Sequence, residues 1–331
     1  MKSTERLTAD ILCRAEETQK KNALRRRRCG TALGALVLVA ALSVGVWQIT
    51  LHRQPAVPDD PTGLQTTLEP TIGVPPERWV EIPKEEIKLP PPGALASWAY
   101  AFVVYQGSTY CGYSASIDLS QAEENHLLGE KLGTTIGTDN ESYWAEHPKA
   151  YTLEHASNIG SGCEIYSVNG YDPSFRLAVI KNYTEYTGEN HEEVSGTVVY
   201  MLDKLNGITL RYGWDLFTDR LHLRERMVSA ISQSHDDWNN GIQQFYQMDT
   251  VTPEQWNAFF NALDNALFED THETNPDLSK SSGQKHLTFT LSDSLTVYLR
   301  LYADGHVSLN DSRYMVKIAG DAFDAIYRAC K

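Results

Sequence analysis

The sequence predicts an α+β fold: a single N-terminal transmembrane helix, a proline-rich linker, then a mixed α/β extracytoplasmic part with antiparallel sheets. Three observations lead there. An uncharged apolar run follows a block of four arginines, and ten of the fourteen prolines fall between residues 54 and 96. Beyond them, short alternating apolar runs are interleaved with helix-start signals. Hydrophobic content of 41% with 22% charged residues excludes bulk disorder.

Residues 1–28 form a basic arm. It holds nine Lys/Arg against four acids, a net +5, which leaves −19 for the rest of a chain whose total is −14. Leu7, Ile11 and Ala15 share a helical face amid charges. The arm therefore reads either as an amphipathic helix for a partner or the anionic leaflet, or as a solvated topogenic tail.

Residues 29–52 hold the span. Thr31 to Leu51 is twenty-one residues without a charge, and at about 1.5 Å per residue such a helix covers the roughly 30 Å hydrocarbon core. Its Leu, Ile and Val residues favour insertion by roughly 3–6 kcal/mol in sum. Arg25, Arg26, Arg27 and Arg28 directly precede the run and Arg53 alone follows closely. The positive-inside rule then places the N-terminus in the cytoplasm and the bulk outside the cell membrane, with Trp47 at the outer interface. The rival reading is a cleaved signal peptide, whose charged region is ordinarily far shorter. Gly30, Gly34, Ala41 and Gly45 fall on one stripe, a candidate face for dimerisation in the bilayer.

Residues 53–97 are a linker. Proline fixes φ and removes donors, so this stretch, with its Pro90-Pro91-Pro92 run, predicts an extended spacer. Trp79-Val80-Glu81-Ile82 is read as a short edge strand added to the folded part.

Residues 98–213 predict a first α+β subdomain. Strands are expected at Ala99–Tyr105 and Tyr110–Ile117 around a Gly107 turn, then at Glu164–Val168, Phe175–Ile180, Thr197–Leu202 and Ile208–Tyr212. Ser120–Leu132 begins like a helix with Ser120 and Glu123 as a capping box, and Gly129 and Gly133 break it toward loop. Residues 214–331 predict a second subdomain of helix, meander and helix, with a strand at Met227–Ser232. Thr252, Pro253 and Gln255 start a helix whose Trp256, Phe259, Phe260, Leu263 and Leu267 make one apolar face. Alternation at Leu287, Phe289, Leu291 and at Leu295, Val297, Leu299, Leu301 predicts a hairpin. Strands at Val307–Leu309 and Tyr314–Ile318 and a helix from Asp321 complete the unit.

The motifs of common chemistries are missing. Gly160-Ser161-Gly162 lacks the lysine of a phosphate loop, and neither G-x-S-x-G nor HExxH occurs. Asp139-Asn140-Glu141 lacks the glycine and distal glutamate of a calcium loop. No catalytic, cofactor-binding or metal-ligating residue is assigned, and no cofactor is expected. The −19 beyond the arm argues against nucleic acid as a partner. Three cysteines beyond the span cannot all pair; Cys111 and Cys163 are the candidate disulfide, the alternative being two small buried hydrophobes on strands.

Five stretches carry a resemblance: Ile165 to Asp172, Leu205 to Thr209, Asp237 to Gly241, Leu299 to Gly305, and Phe323 to Tyr327. Through them, residues 98–331 resemble extracytoplasmic modules of Gram-positive single-pass membrane proteins, some of them similar to anti-sigma or envelope-sensing factors. The likeness rests on glycine turns and buried aromatics, and the arm has no histidine to join Cys13 and Cys29 in a zinc motif. The expectation is a membrane-anchored binding or sensing protein without catalytic activity, with an unknown protein or envelope ligand as partner. The alternatives are a cell-envelope hydrolase or other envelope enzyme, and a structural partner in a membrane complex.

Overall fold

The computed structural model describes residues 79–83, 101–112, 116–137, 153–187, 192–274, 278 and 283–331. The basic arm, Arg25 to Arg28, Trp47 and the Gly30, Gly34, Ala41, Gly45 stripe lie outside these residues. Among the described residues, no helix is long and apolar enough to cross a membrane.

The described chain is α+β with mostly antiparallel sheets. The edge strand read from Trp79 to Ile82 is present as β1 (Val80–Glu81). The first large sheet uses β2 (Phe102–Tyr105), β3 (Ser108–Cys111), β4 (Ile117–Asp118), β5 (Leu128–Thr134), β6 (Ile136–Gly137), β7 (Ala156–Ser157), β8 (Glu164–Val168), β9 (Arg176–Thr187) and β10 (Glu192–Asp203). Its strand order is β5-β8-β9-β10-β3-β2-β7-β6, with β4 also on β10 and one parallel pair, β6 with β7. The β2–β3 hairpin turns through Gln106 and Gly107, both at positive φ (49° and 65°), as a two-residue turn that follows strand twist requires.

A helix does start near Ser120, as α1 (Leu119–Glu124), but its cap is Asp118 and no side chain bonds there. It stops at Asn125 and His126, the latter at φ 51°, and the chain re-emerges as β5. The glycines expected to dissolve this stretch into loop instead allow pairing. A Cβ on Gly129 would collide with Ser167 Oγ across the β5–β8 ladder.

β11 (Thr209–Leu210) pairs with β1, and a π-helical turn at Trp214–Thr218 and α2 (Leu223–Arg226) lead into the second large sheet. That sheet begins with β12 (Met227–Ser234). The short α3 (His235–Asn240) follows, closed by Gly241 and by Ile242 N–H donating to Asp237 O at 2.8 Å. Then come β13 (Tyr246–Gln247), α4 (Pro253–Asn265), β14 (Phe268–Asp270), α5 (Thr271–Thr274), β15 (Lys285–Leu291), β16 (Thr296–Leu301), β17 (His306–Leu309), β18 (Tyr314–Lys317) and α6 (Asp321–Ala329). The order is β13-β12-β15-β16-β17-β18-β14.

α4 carries the capping box that its sequence announces. Gln255 N–H donates to Thr252 Oγ1 at 3.3 Å, and Thr252 N–H donates to Gln255 Oε1 at 2.9 Å. Its stripe of Trp256, Phe259, Phe260 and Leu263 is buried, and Trp256 meets Phe289 of β15 edge-on at 5.4 Å. Phe323 and Ile326 of α6 join the same apolar cluster. Alternation along β9 and β10 sends Ala178, Val199 and Met201 into that cluster too, and Leu177, Val179 and Leu202 into a smaller one on the opposite face. Fully burying such side chains contributes about 1.5–3 kcal/mol each, so the shared cluster dominates the stability of the described fold.

Cys111 packs with Phe102, Val104 and Ala156, whereas Cys163 packs with Val103, Tyr110 and Ile165. Both are buried as thiols in separate clusters, as is Cys330 in the main one.

Candidate functional site

Three arrangements gather chemically capable side chains. The first ties the β8–β9 loop to the β15–β16 turn. Arg176, at the root of β9, faces Asp203 at the end of β10, and the two are fully buried. Arg176 Nε and Nη2 donate to the two carboxylate oxygens at 2.6 and 2.9 Å, a two-point geometry that fits guanidinium to carboxylate. Burial alone would lower the guanidinium pKa; the Asp203 charge overrides it and raises it further. The Tyr171 ring stacks under Arg176 at 4.5 Å and under Arg226 at 4.8 Å, and its hydroxyl donates to Asp293 Oδ2 at 2.9 Å. Arg226 also donates to Asp293 and to Gly170 O, both at 2.9 Å. Burial pushes the Tyr171 phenol up to about 12, with Asp293 adding to the rise and Arg176 opposing it. A phenol held protonated and cations held by carboxylates join the β8–β9 loop to the β15–β16 turn.

The second arrangement is a polar row across one face of the second sheet. Cross-strand register sets Gln233, His286, Arg300 and Ser308 side by side on β12, β15, β16 and β17, and all four are buried. His235 stacks on His286 with ring centroids 5.2 Å apart, and His235 Nδ1 lies 2.9 Å from His286 Nε2. Arg300 bonds Asp311, and the Tyr298 ring lies 5.5 Å from His286. Burial holds the His286 imidazole near pKa 3, with Arg300 and His235 pushing the same way, so it is neutral at ordinary pH. On the same face, two residues along β17 from Ser308, His306 stands between carboxylates, Nδ1 2.8 Å from Asp304 and Nε2 2.7 Å from Glu269. Burial tends to raise the Asp304 pKa, but the His306 bonds and Lys317 outweigh it and leave the carboxyl low. Both His306 ring nitrogens are thus engaged by carboxylates. Among the described residues, no group of three His, Cys, Asp or Glu is placed to hold a metal ion.

The third arrangement is the outer half of the β9–β10 hairpin. β8 covers β9 between residues 177 and 180, and β4 covers β10 at 198 and 199. Among the described strands, residues 181–187 and 192–197 pair with each other alone, which makes a two-stranded arm with two uncovered edges. One of its faces is a ladder of hydroxyls and amides: Thr184 Oγ1 lies 3.0 Å from Ser195 Oγ, and Thr197 donates to Asn182 at 2.7 Å. On the other face Tyr183 lies across Gly196, and Val194 is 45% exposed.

No family model, curated protein or solved structure matches the chain.

Of the residues singled out from sequence, Cys111 and Cys163 are the two that the structure describes, and they fall in separate clusters. The Arg176–Asp203 pair, the Tyr171 stack and the His235–His286 pair escaped sequence reading because their members lie far apart along the chain. The arm had one signal, the tyrosine-rich polar stretch from Asn182 to Tyr186.

Proposed function

We propose that this chain is a membrane-anchored, extracytoplasmic binding or sensing protein without catalytic activity, and that the β9–β10 arm is its recognition element. The observation that carries this reading is the pair of strand edges on the arm that no described strand covers, flanked by exposed Asn182, Thr184, Val194 and Ser195. Open strand edges supply main-chain donors and acceptors to a partner, and alternate side chains supply specificity. The engaged state of the ionisable clusters around Tyr171 and His306 supports a non-catalytic role. The charge-free run after Arg25 to Arg28 supports anchoring, and the resemblance to envelope-sensing modules supports the address.

Two experiments test the two halves of this reading. On intact cells, a membrane-impermeant maleimide labels a Val194→Cys chain at that position and leaves Cys13 unlabelled; the reverse pattern sinks the topology. A photocrosslinking residue placed at 194 captures a discrete partner that the same residue at exposed Lys317 does not. Adding Thr184→Arg and Ser195→Arg lowers that capture about tenfold at unchanged melting temperature. Equal capture from both positions would remove the arm from recognition.

A further inference from the structure

The docked segment 79–83 is a strand supplied to the fold from the linker side. Val80 and Glu81 pair antiparallel with Leu210 and Thr209. The ladder continues as Ile82 N–H donates to Ile208 O and Gly207 N–H donates to Ile82 O, each at 2.9 Å. Alternation sends Val80 and Ile82 inward, where Ile82 is 3% exposed within the main apolar cluster and Val80 packs against it. On the outward side the Trp79 ring lies 5.8 Å from the Arg211 guanidinium. Every one of these contacts joins residues 79–83 to residues 207–211, or to the core behind them. None depends on the two segments belonging to one copy.

We infer that this groove also accepts the 79–83 strand of a second copy of the chain, so that two copies join by reciprocal strand exchange. The occupant is fixed by the structure: the strand that fills the groove within one copy has, by construction, the shape and pattern to fill it in another. Contacts made and lost are the same in both forms, so the balance is set by local concentration. The tether is residues 84–100, whose contour reaches at most roughly 55 Å at about 3.3 Å per residue, enough to cross to a neighbour. Pro90, Pro91 and Pro92 lie within it, the composition of a semi-rigid spacer. Anchoring in one membrane, which rests on the reading above, concentrates the copies further. Exchange also places two arms in one assembly, which would give a polymeric or repeating ligand two points of attachment.

The test uses the full chain in membranes with Cys13 and Cys29 replaced by serine. Glu81 and Thr209 are register partners on the exposed side of the ladder. A copy bearing Glu81→Cys and a differently tagged copy bearing Thr209→Cys are co-expressed and oxidised. The expected result is a disulfide-linked dimer carrying both tags, at least tenfold above the yield when either copy is paired with an unsubstituted chain. The chain with both substitutions reports whether the two positions meet. Closure within single copies, without the mixed dimer, overturns the exchange. Absence of any disulfide in the doubly substituted chain overturns it too, because the docked strand itself is then missing. The maleimide experiment separates this from the topology: mixed dimers in a chain that fails it keep the exchange and lose the address.

Discussion

At Arg176 and Asp203 two full charges sit in the interior, held by each other. Removing one charge leaves the other buried and uncompensated, a loss of about 3–5 kcal/mol, whereas replacing both with apolar side chains of similar volume is close to neutral. Asp203→Asn is therefore expected to lower the urea midpoint sharply, while Arg176→Met with Asp203→Leu returns most of it; a double variant no better than the single would show the pair does more than satisfy itself. His286 sets a pH dependence. Its folded pKa lies near 3 against an ordinary 6.5, so between those values the unfolded chain binds the extra proton. Stability is then complete above about pH 6.5 and falls as pH drops toward 3, by up to about 1.4 kcal/mol per unit. His286→Asn should flatten that slope in urea titrations from pH 7 to 4; an unchanged slope would mean that other groups set it.

Elements were legible in the sequence where their signals are local. α4 announces itself through a cap, a proline and a stripe within one stretch, and Thr252→Ala should cost about 1 kcal/mol in thermal unfolding. A loss below a few tenths would mean that the two capping bonds are idle. β15 to β18 are legible for the same reason, since alternation and short turns lie side by side. β5 was hidden because glycine reads as a breaker until the strand it must approach is known, and β8 is far along the chain. The outer parts of β9 and β10 were hidden for a different reason. Asn182, Thr184, Ser195 and Thr197 give them no apolar alternation on one face, and polar strands of that kind show only through their partner. The joint around Tyr171 required three distant segments at once, which no spacing rule supplies.

At the scale of the molecule, the strand order β13-β12-β15-β16-β17-β18-β14 holds a lesson about timing. The strands made first, β12 to β14, become the two edges of the sheet, and the meander made afterwards fills its centre. α4 is synthesised before the strands that bury its Trp256 and Phe260 exist. A chain emerging from a ribosome or a translocation pore therefore carries an uncovered aromatic stripe and unpaired edges until β18 is out, so this half cannot settle piece by piece. Its closure is a single late event with long loops to close, and refolding from urea should run in milliseconds to seconds rather than microseconds. Until then the exposed stripe and unpaired edges are the features that make a partly folded chain prone to aggregate.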